Sequence, residues 1–290
     1  MISVIVPTYN RGAFIKEAVD SILAQKNVSM EVIVVDDGST DATTALLGSY
    51  SGTIRYVYQA HGGVSAARNH GIRIAQHEWL AFLDSDDLWL PRKLSAQLAF
   101  LARHPDLKIC QTEEIWIRNG KHMNPKKYHR KPDGYCFPRL LEHCLISPSA
   151  VMIHRGVFEE VGFFDEALPA CEDYDLWLRI GYRHPIGLLR DPLIIKRGGH
   201  GDQLSASIPS LDRFRIQALA KLLRHEPLRH DQQEAAFEAL KRKSRIYASG
   251  CRKRGKHNEA DAARVLLEEV ALELGIAAVN GRPEKTSSDV

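Results

Sequence analysis

Residues 79–91 read WLAFLDSDDLWLP, and the fold reading turns on how this stretch changes character. It opens as a run of bulky apolar residues, Trp79 to Leu83, of the kind that forms a strand buried on both faces of a parallel sheet. It then breaks into three carboxylates, Asp84, Asp86 and Asp87. Acids at that point stand at the C-terminal edge of the sheet, where open α/β sheets place their ligands. If the chain stays extended there, residues two apart point the same way, so Asp84 and Asp86 converge on one ion. Two hard oxygen donors suit Mg²⁺ or Mn²⁺ shared with a diphosphate. Pro91 is read as the first turn of a helix over Arg92 to Leu101. The plainer reading is an acidic strand-to-helix turn in which an aspartate caps the helix. The stretch alone does not choose between them.

Working outward, strands and helices alternate. Ile2 to Val6 reads as a buried strand, followed by a helix with Phe14, Ile15, Ala18, Val19, Ile22 and Leu23 at helical spacing. Residues 31–35 read as a second strand, about 42–49 as a helix, Ile54 to Tyr58 as a short strand and Val64 to Gln76 as a helix. That order predicts right-handed βαβ units on a parallel sheet. Further on, 108–117 is strand-like and ends at the turn dipeptide Asn119-Gly120. Residues 118–133 carry six basic groups and one acid and read as a mobile loop or solvated face. Strand 150–154, helix 155–161, an acidic-ended helix from Cys171 to Arg179 and two strand-like runs within 186–195 follow. Residues 196–201 form a glycine-rich loop. Beyond 210 the pattern is helical throughout, and Asn280 to Val290 reads as a disordered tail.

The bulk numbers fit one large α/β domain with an appendage: 290 residues, 44% hydrophobic, net charge +3. So small a charge argues against a nucleic-acid partner for the molecule as a whole. Five cysteines, odd in number and without a C-x-x-C pair, read as free thiols in a reducing compartment. No apolar stretch approaches the ~18 residues that span a bilayer, and no signal-peptide pattern precedes the first strand. The expectation is a cytoplasmic protein.

Four polar clusters fall at strand or helix ends: Pro7-Thr8-Tyr9-Asn10-Arg11, Asp36-Asp37-Gly38-Ser39, the DSDD run, and Glu172-Asp173. With SVIVPTYNR at 3–11, EVIVVDDGSTD at 31–41, GGVSAARNHGI at 62–72, FLDSDD at 82–87 and EDYDLWLR at 172–179, the chain resembles the inverting family 2 glycosyltransferases of the GT-A fold. The likeness runs over roughly residues 1–205. It implies an α/β GT-A fold, doubly wound on a mostly parallel sheet, with a C-terminal helical extension. The domains expected are 1–110, a nucleotide-sugar-binding half; 111–207, an acceptor-binding half; 208–279, a helical extension; and 280–290, the tail.

The resemblance also implies roles. Tyr9 stacks on the nucleotide base and Asp37 accepts from the uracil N–H, with Pro7 and Thr8 beside them. Arg68 stands near the base or diphosphate, where a planar five-donor cation fits phosphate oxygens. Asp84 and Ser85 contact the donor. Asp86 ligates a divalent metal, Mn or Mg, with Asp84 on the metal or the ribose. His200 completes the metal shell or closes over the diphosphate, although RGGH departs from the family's loop by its two glycines. Asp173, with Glu172 beside it, is the base that takes a proton from the hydroxyl acceptor, a saccharide or lipid-linked saccharide, as it attacks a nucleotide-diphospho sugar, UDP in preference. Each residue also has a bland reading: Tyr9 as packing, Asp37 as a cap, Arg68 and His200 as solvated, Glu172-Asp173 as first-turn acids favoured by the helix dipole. Trp89 and Trp177 are read as core.

Residues 241–256 hold eight basic groups and no acid. They read either as a solvated helix face or as a peripheral contact with anionic lipid. A nucleotidyltransferase would want a glycine-rich basic loop after the first strand, and PTYN offers none. A non-catalytic sugar-nucleotide-binding scaffold need keep neither DSDD nor Glu172-Asp173. An oxidoreductase would want G-x-G-x-x-G there.

Overall fold

A computed structural model describes residues 1–199, 201, 208 and 210–276. Two compact units divide the chain, 1–215 and 216–290. His200 and the 280–290 tail lie outside the described residues.

In the first unit β1 (Ile2–Thr8), β2 (Met30–Asp36), β3 (Arg55–Tyr58) and β4 (Trp79–Phe82) pair in parallel, in the order β3-β2-β1-β4. Alternation along β1 explains the double winding. Ile2, Val4 and Val6 pack with Ile15, Ala18, Val19 and Ile22 of α1 (Ile15–Leu23). Ile5 points to the other face, against α3 (Val64–Ile74), where Gly71 lets the helix come close, because a β-carbon there would strike the Ile5 side chain. A small helix, α2 (Thr43–Leu47), joins β2 to β3. On the α3 face Phe82 meets Phe158 and Phe164 edge-on.

The second half of the sheet changes direction. After β5 (Leu88–Trp89) and α4 (Lys93–Arg103), β6 (Ile109–Arg118) turns into β7 (Lys121–Met123). The hairpin turn is Asn119-Gly120, both with positive φ (50° and 72°), the backbone that a two-residue hairpin loop demands. Next come α5 (Phe137–Glu142), β8 (Val151–His154), α6 (Gly156–Val161), α7 (Glu172–Gly181) and β9 (Gly187–Gly198). β8 enters antiparallel between β4 and β6, while β9 lies parallel to β6. Parallel pairing covers more than twice as many positions as antiparallel. Trp89 and Trp177 are buried.

Four local expectations are corrected. The helix after Pro91 starts at Lys93, since Arg92 is its cap and the Pro91 carbonyl accepts from Lys26 N–H. Residues 118–133 are not wholly loop, because β7 and a turn of 3₁₀ helix at Lys127–His129 lie within them. The two runs in 186–195 are one strand with register shifts opposite Glu113. That strand takes up Lys196 to Gly198 from the supposed glycine-rich loop.

α8 (Asp212–His225) begins at the end of the first unit. In the second, α9 (His230–Lys253) and α10 (His257–Glu273) form an antiparallel pair. Phe237, Leu240, Ser244 and Tyr247 are buried along α9, and Ala263, Leu267 and Val270 along α10. No described helix is long and apolar enough to cross a membrane.

Candidate active site

The C-terminal ends of β1, β2 and β4 and the start of α7 open on one cleft of about 1070 Å³. Pro7, Thr8, Tyr9, Asp37, Arg68, Asp84, Ser85, Asp86, Glu172 and Asp173 all line it. Every described residue expected at the site is therefore gathered in one place.

DSDD is not extended. Ser85 and Asp86 occupy a tight turn closed by Asp87 N–H donating to the Asp84 carbonyl at 2.9 Å, so side-chain alternation cannot be what aims Asp84 and Asp86. Ser149 holds the turn instead. Its hydroxyl accepts from Asp84 N–H (3.1 Å) and donates to Asp87 Oδ2 (2.7 Å). From β9, Arg197 N–H donates to Asp87 Oδ1 (3.0 Å), and its guanidinium reaches the Asp86 carbonyl. Burial, then the neighbouring Asp86, push the Asp87 carboxyl well up. All three acids line the cleft, and Asp87 is the buried member whose oxygens are taken up by Ser149 and Arg197.

Arg68 joins the DSDD turn to the start of α7. Almost wholly buried, it donates to Asp84 Oδ1 and to Glu172 Oε1, each at 2.7 Å. Burial disfavours its charge, but Asp84 and Glu172 outweigh that and raise its pKa. Burial and Asp173 raise Glu172, against the pull of Arg68. Cys171, at the start of α7, adopts left-handed backbone (φ 62°), a sparsely populated state for a non-glycine residue. Asp173 Oδ1 accepts from Tyr174 N–H (2.7 Å), and Oδ2 from the Cys144 thiol (3.2 Å).

At the other end Tyr9 stacks on His61, ring centroids 4.1 Å apart. Asp37 is buried; its oxygens accept from Gln59 Nε2 (2.7 Å), Gly62 N–H (2.9 Å) and Gly63 N–H (2.8 Å). Oδ1 takes the Gln59 and Gly62 bonds, while Oδ2 takes the Gly63 bond and lies 2.8 Å from His61 Nδ1, so both lone-pair directions of each oxygen are engaged and Asp37 shapes the loop before α3. Thr8 and Ser65 line the cleft, while their hydroxyl oxygens are buried with no hydrogen-bond partner among the described residues.

A profile of glycosyl transferase family 2 matches residues 3–162. The chain belongs to that family. Among its relatives, an uncharacterized glycosyltransferase of Rickettsia bellii is 35% identical over 219 residues, 72% of this chain but 31% of its own length. UDP-Glc:alpha-D-GlcNAc-diphosphoundecaprenol beta-1,3-glucosyltransferase WfgD of Escherichia coli is 30% identical over 185 residues, 62% of this chain and 69% of that protein. The chain thus spans about a third of the Rickettsia relative. Two solved structures share the fold. S. aureus TarS 1–349 in complex with UDP-GlcNAc has TM-score 0.64 at 22% identity, covering 95% of this chain and 92% of that one. Mannosyltransferase PcManGT from Pyrobaculum calidifontis, in complex with GDP-Man and Mn²⁺, has TM-score 0.59 at 20% identity, covering 94% and 80%.

Sequence reading missed several residues of this family 2 site. Ser149 and Cys144 lie in segments with no motif. Lys196 lies in β9 and lines the cleft; burial opposes its charge, but Glu114, Asp87 and Asp84 raise its pKa. A lysine ending a strand-like run, IIK, was the available signal. Among the described residues no group of three or more His, Cys, Asp and Glu is arranged to hold a metal. Asp84 and Asp86 remain a two-carboxylate donor set, which suits an ion that takes its other ligands from phosphate and water.

Proposed function

We propose that this family 2 glycosyltransferase is an inverting, metal-dependent enzyme. It moves a sugar from a nucleotide-diphospho donor, UDP-linked, to a hydroxyl of a saccharide or lipid-linked saccharide in cell-surface polysaccharide or glycolipid synthesis. One observation carries this reading. The DSDD turn and Asp173 line the same cleft, and Arg68 ties Asp84 to Glu172, the neighbour of Asp173. The substrates in the names of the E. coli relative and the TarS complex support a UDP-linked donor.

In this mechanism the base lies beside Tyr9 and Asp37, at the end of the cleft that Thr8 and Ser65 also line. The diphosphate lies toward Asp84, Asp86 and Lys196. Asp86, with Asp84, would hold the divalent cation, as the Mn²⁺ complex of PcManGT suggests. When bound, that ion supplies charge neutralisation to the departing diphosphate. Asp173, its carboxylate oriented by Tyr174 N–H and Cys144, takes the acceptor proton. As it does, the acceptor oxygen bonds to the anomeric carbon, and the bond from that carbon to the diphosphate oxygen breaks on the opposite face. The configuration inverts with no covalent intermediate.

The test is Asp173→Asn, assayed by UDP release from a panel of UDP-sugars with saccharide acceptors. A lost general base costs about 10²–10⁴-fold in rate, while UDP affinity by calorimetry stays at the wild-type value. Wild-type transfer by this variant would remove Asp173 from the mechanism. The basic run 241–256 belongs to the proposal too. It covers the second half of α9 and the turn into α10, with Ile246 62% exposed among the charges, a pattern suited to peripheral contact with an anionic membrane face.

A further inference from the structure

Three consecutive backbone carbonyls, those of Ser149, Ala150 and Val151, are each taken by a side chain from one short stretch of sequence. Trp89 Nε1 donates to Ser149 (2.9 Å), Gln97 Nε2 to Ala150 (3.0 Å) and Lys93 Nζ to Val151 (3.1 Å). Trp89 ends β5, and Lys93 and Gln97 stand four apart on α4, so both leave the same face of that helix. The set is also tied to itself, with Lys93 Nζ 3.9 Å from the centre of the Trp89 ring. Sheet pairing does not account for the arrangement. The ladders of β8 begin at Val151, and Ser149 and Ala150 lie before them in a turn of 3₁₀ helix.

Holding these carbonyls is costly. Lys93 and Gln97 are fully buried. Gln97 Oε1 has no hydrogen-bond partner among the described residues, and burial pulls the pKa of Lys93 down to about 7. A methionine at either position would fill the same core without desolvating a polar tip. What the polar tips secure is the backbone that carries Ser149, whose hydroxyl accepts from Asp84 N–H and donates to Asp87. Hydrogen bonds weaken steeply outside a narrow range of distance and angle, so a shift of about 0.5 Å in that hydroxyl would release one of the two.

We infer that Trp89, Lys93 and Gln97 are positioning residues for the donor end of the cleft: by gripping the backbone at 149–151 they hold the Ser149 hydroxyl where it shapes the DSDD turn, and so set where the Asp84 and Asp86 carboxylates stand. None of the three is among the residues lining the cleft, so they act through Ser149. The consequence for a metal and a diphosphate rests on the glycosyl-transfer reading; the control of the turn does not.

The test uses the full chain with Trp89→Phe, Lys93→Met and Gln97→Met, and reads amide hydrogen exchange by NMR without ligand. Exchange at Asp84 should rise roughly two- to tenfold in each variant, the factor of one net hydrogen bond, with Val34 in the middle of β2 unchanged. Ser149→Ala should do the same, and combining it with any of the three should add nothing further. Trp89→Phe keeps the ring and loses only the donor, so it carries the test if a methionine variant fails to fold. By calorimetry, UDP affinity with Mn²⁺ should fall about tenfold in the variants, while UDP affinity with a chelator holds. Unchanged exchange at Asp84, a rise matched at Val34, or additivity with Ser149→Ala overturns the inference. So does faster exchange with undiminished affinity for UDP and Mn²⁺, because the turn would then move without consequence for the donor. A wild-type protein whose UDP affinity gains nothing from Mn²⁺ would instead count against the metal-dependent reading, and exchange at Asp84 would still decide whether the three side chains control the turn.

Discussion

At the scale of single residues, Arg68 decides the character of the cleft. A guanidinium this deeply buried is tolerable only because two carboxylates neutralise it with hydrogen-bonded geometry. Removing one member of such a group leaves an uncompensated buried charge, which costs about 3–5 kcal/mol. Arg68→Met should therefore lower unfolding free energy in urea by about that much, leaving Glu172 without its counter-ion. Adding Glu172→Gln should restore part of the loss, a non-additivity that reports direct coupling. A loss under about 1 kcal/mol, or strict additivity, would mean the pair contributes little. The sequence named Arg68 and Asp84 but not their bond, because partners sixteen residues apart across a sheet edge leave no spacing signature. Ser149 was invisible for the same reason, since a serine that bonds Asp84 and Asp87 looks like any loop serine. Motif runs such as DSDD name the side chains that meet ligand, and they leave silent those that hold them.

At the scale of elements, legibility followed periodicity. β1 and β2 carry regular apolar runs and were readable within a few residues, and beyond 210 the periodicity gave helix as the type but not where each helix begins or ends. β5, with two residues, and β7, exposed throughout, have too little burial to leave a pattern. Nor does hydrophobicity report strand direction, which is why the antiparallel entry of β8 escaped it. α9 tests whether its unusual composition has a use. Its second half carries Arg242, Arg245, Arg252 and Lys253 with exposed Ile246. Near an anionic surface each such charge contributes about 1 kcal/mol. Replacing these four by Gln should cut binding to phosphatidylserine vesicles roughly a hundredfold or more at that charge contribution, with helicity by circular dichroism unchanged. Equal sedimentation of wild type and variant with the vesicles would reduce the run to a solvated helix face.

At the scale of the whole chain, the cleft of the first unit is lined by Asp84, Asp86 and Asp87 of the DSDD turn and by Glu172 and Asp173 of α7. Such an arrangement is self-repelling until cations enter. Arg68 and Lys196 neutralise part of it from within the protein. Asp86 lines the cleft beside Asp87, whose proton affinity it raises after burial. A UDP diphosphate brings more negative charge to the same end, so the donor and a divalent cation should bind together and each weakly alone. Ligand binding to the folded state raises stability by RT ln(1 + [L]/Kd), about 2.7 kcal/mol at a hundred times Kd. For a unit of this size that is roughly 5–10 °C in Tm, at about 2–4 °C per kcal/mol. UDP with Mn²⁺ should produce that shift, UDP with a chelator a small fraction of it, and Asp86→Ala should remove the difference. An identical shift with chelator present, or in the Asp86→Ala protein, would show that the donor is held by the protein's own cations and that the two cleft carboxylates serve some purpose other than gripping a metal.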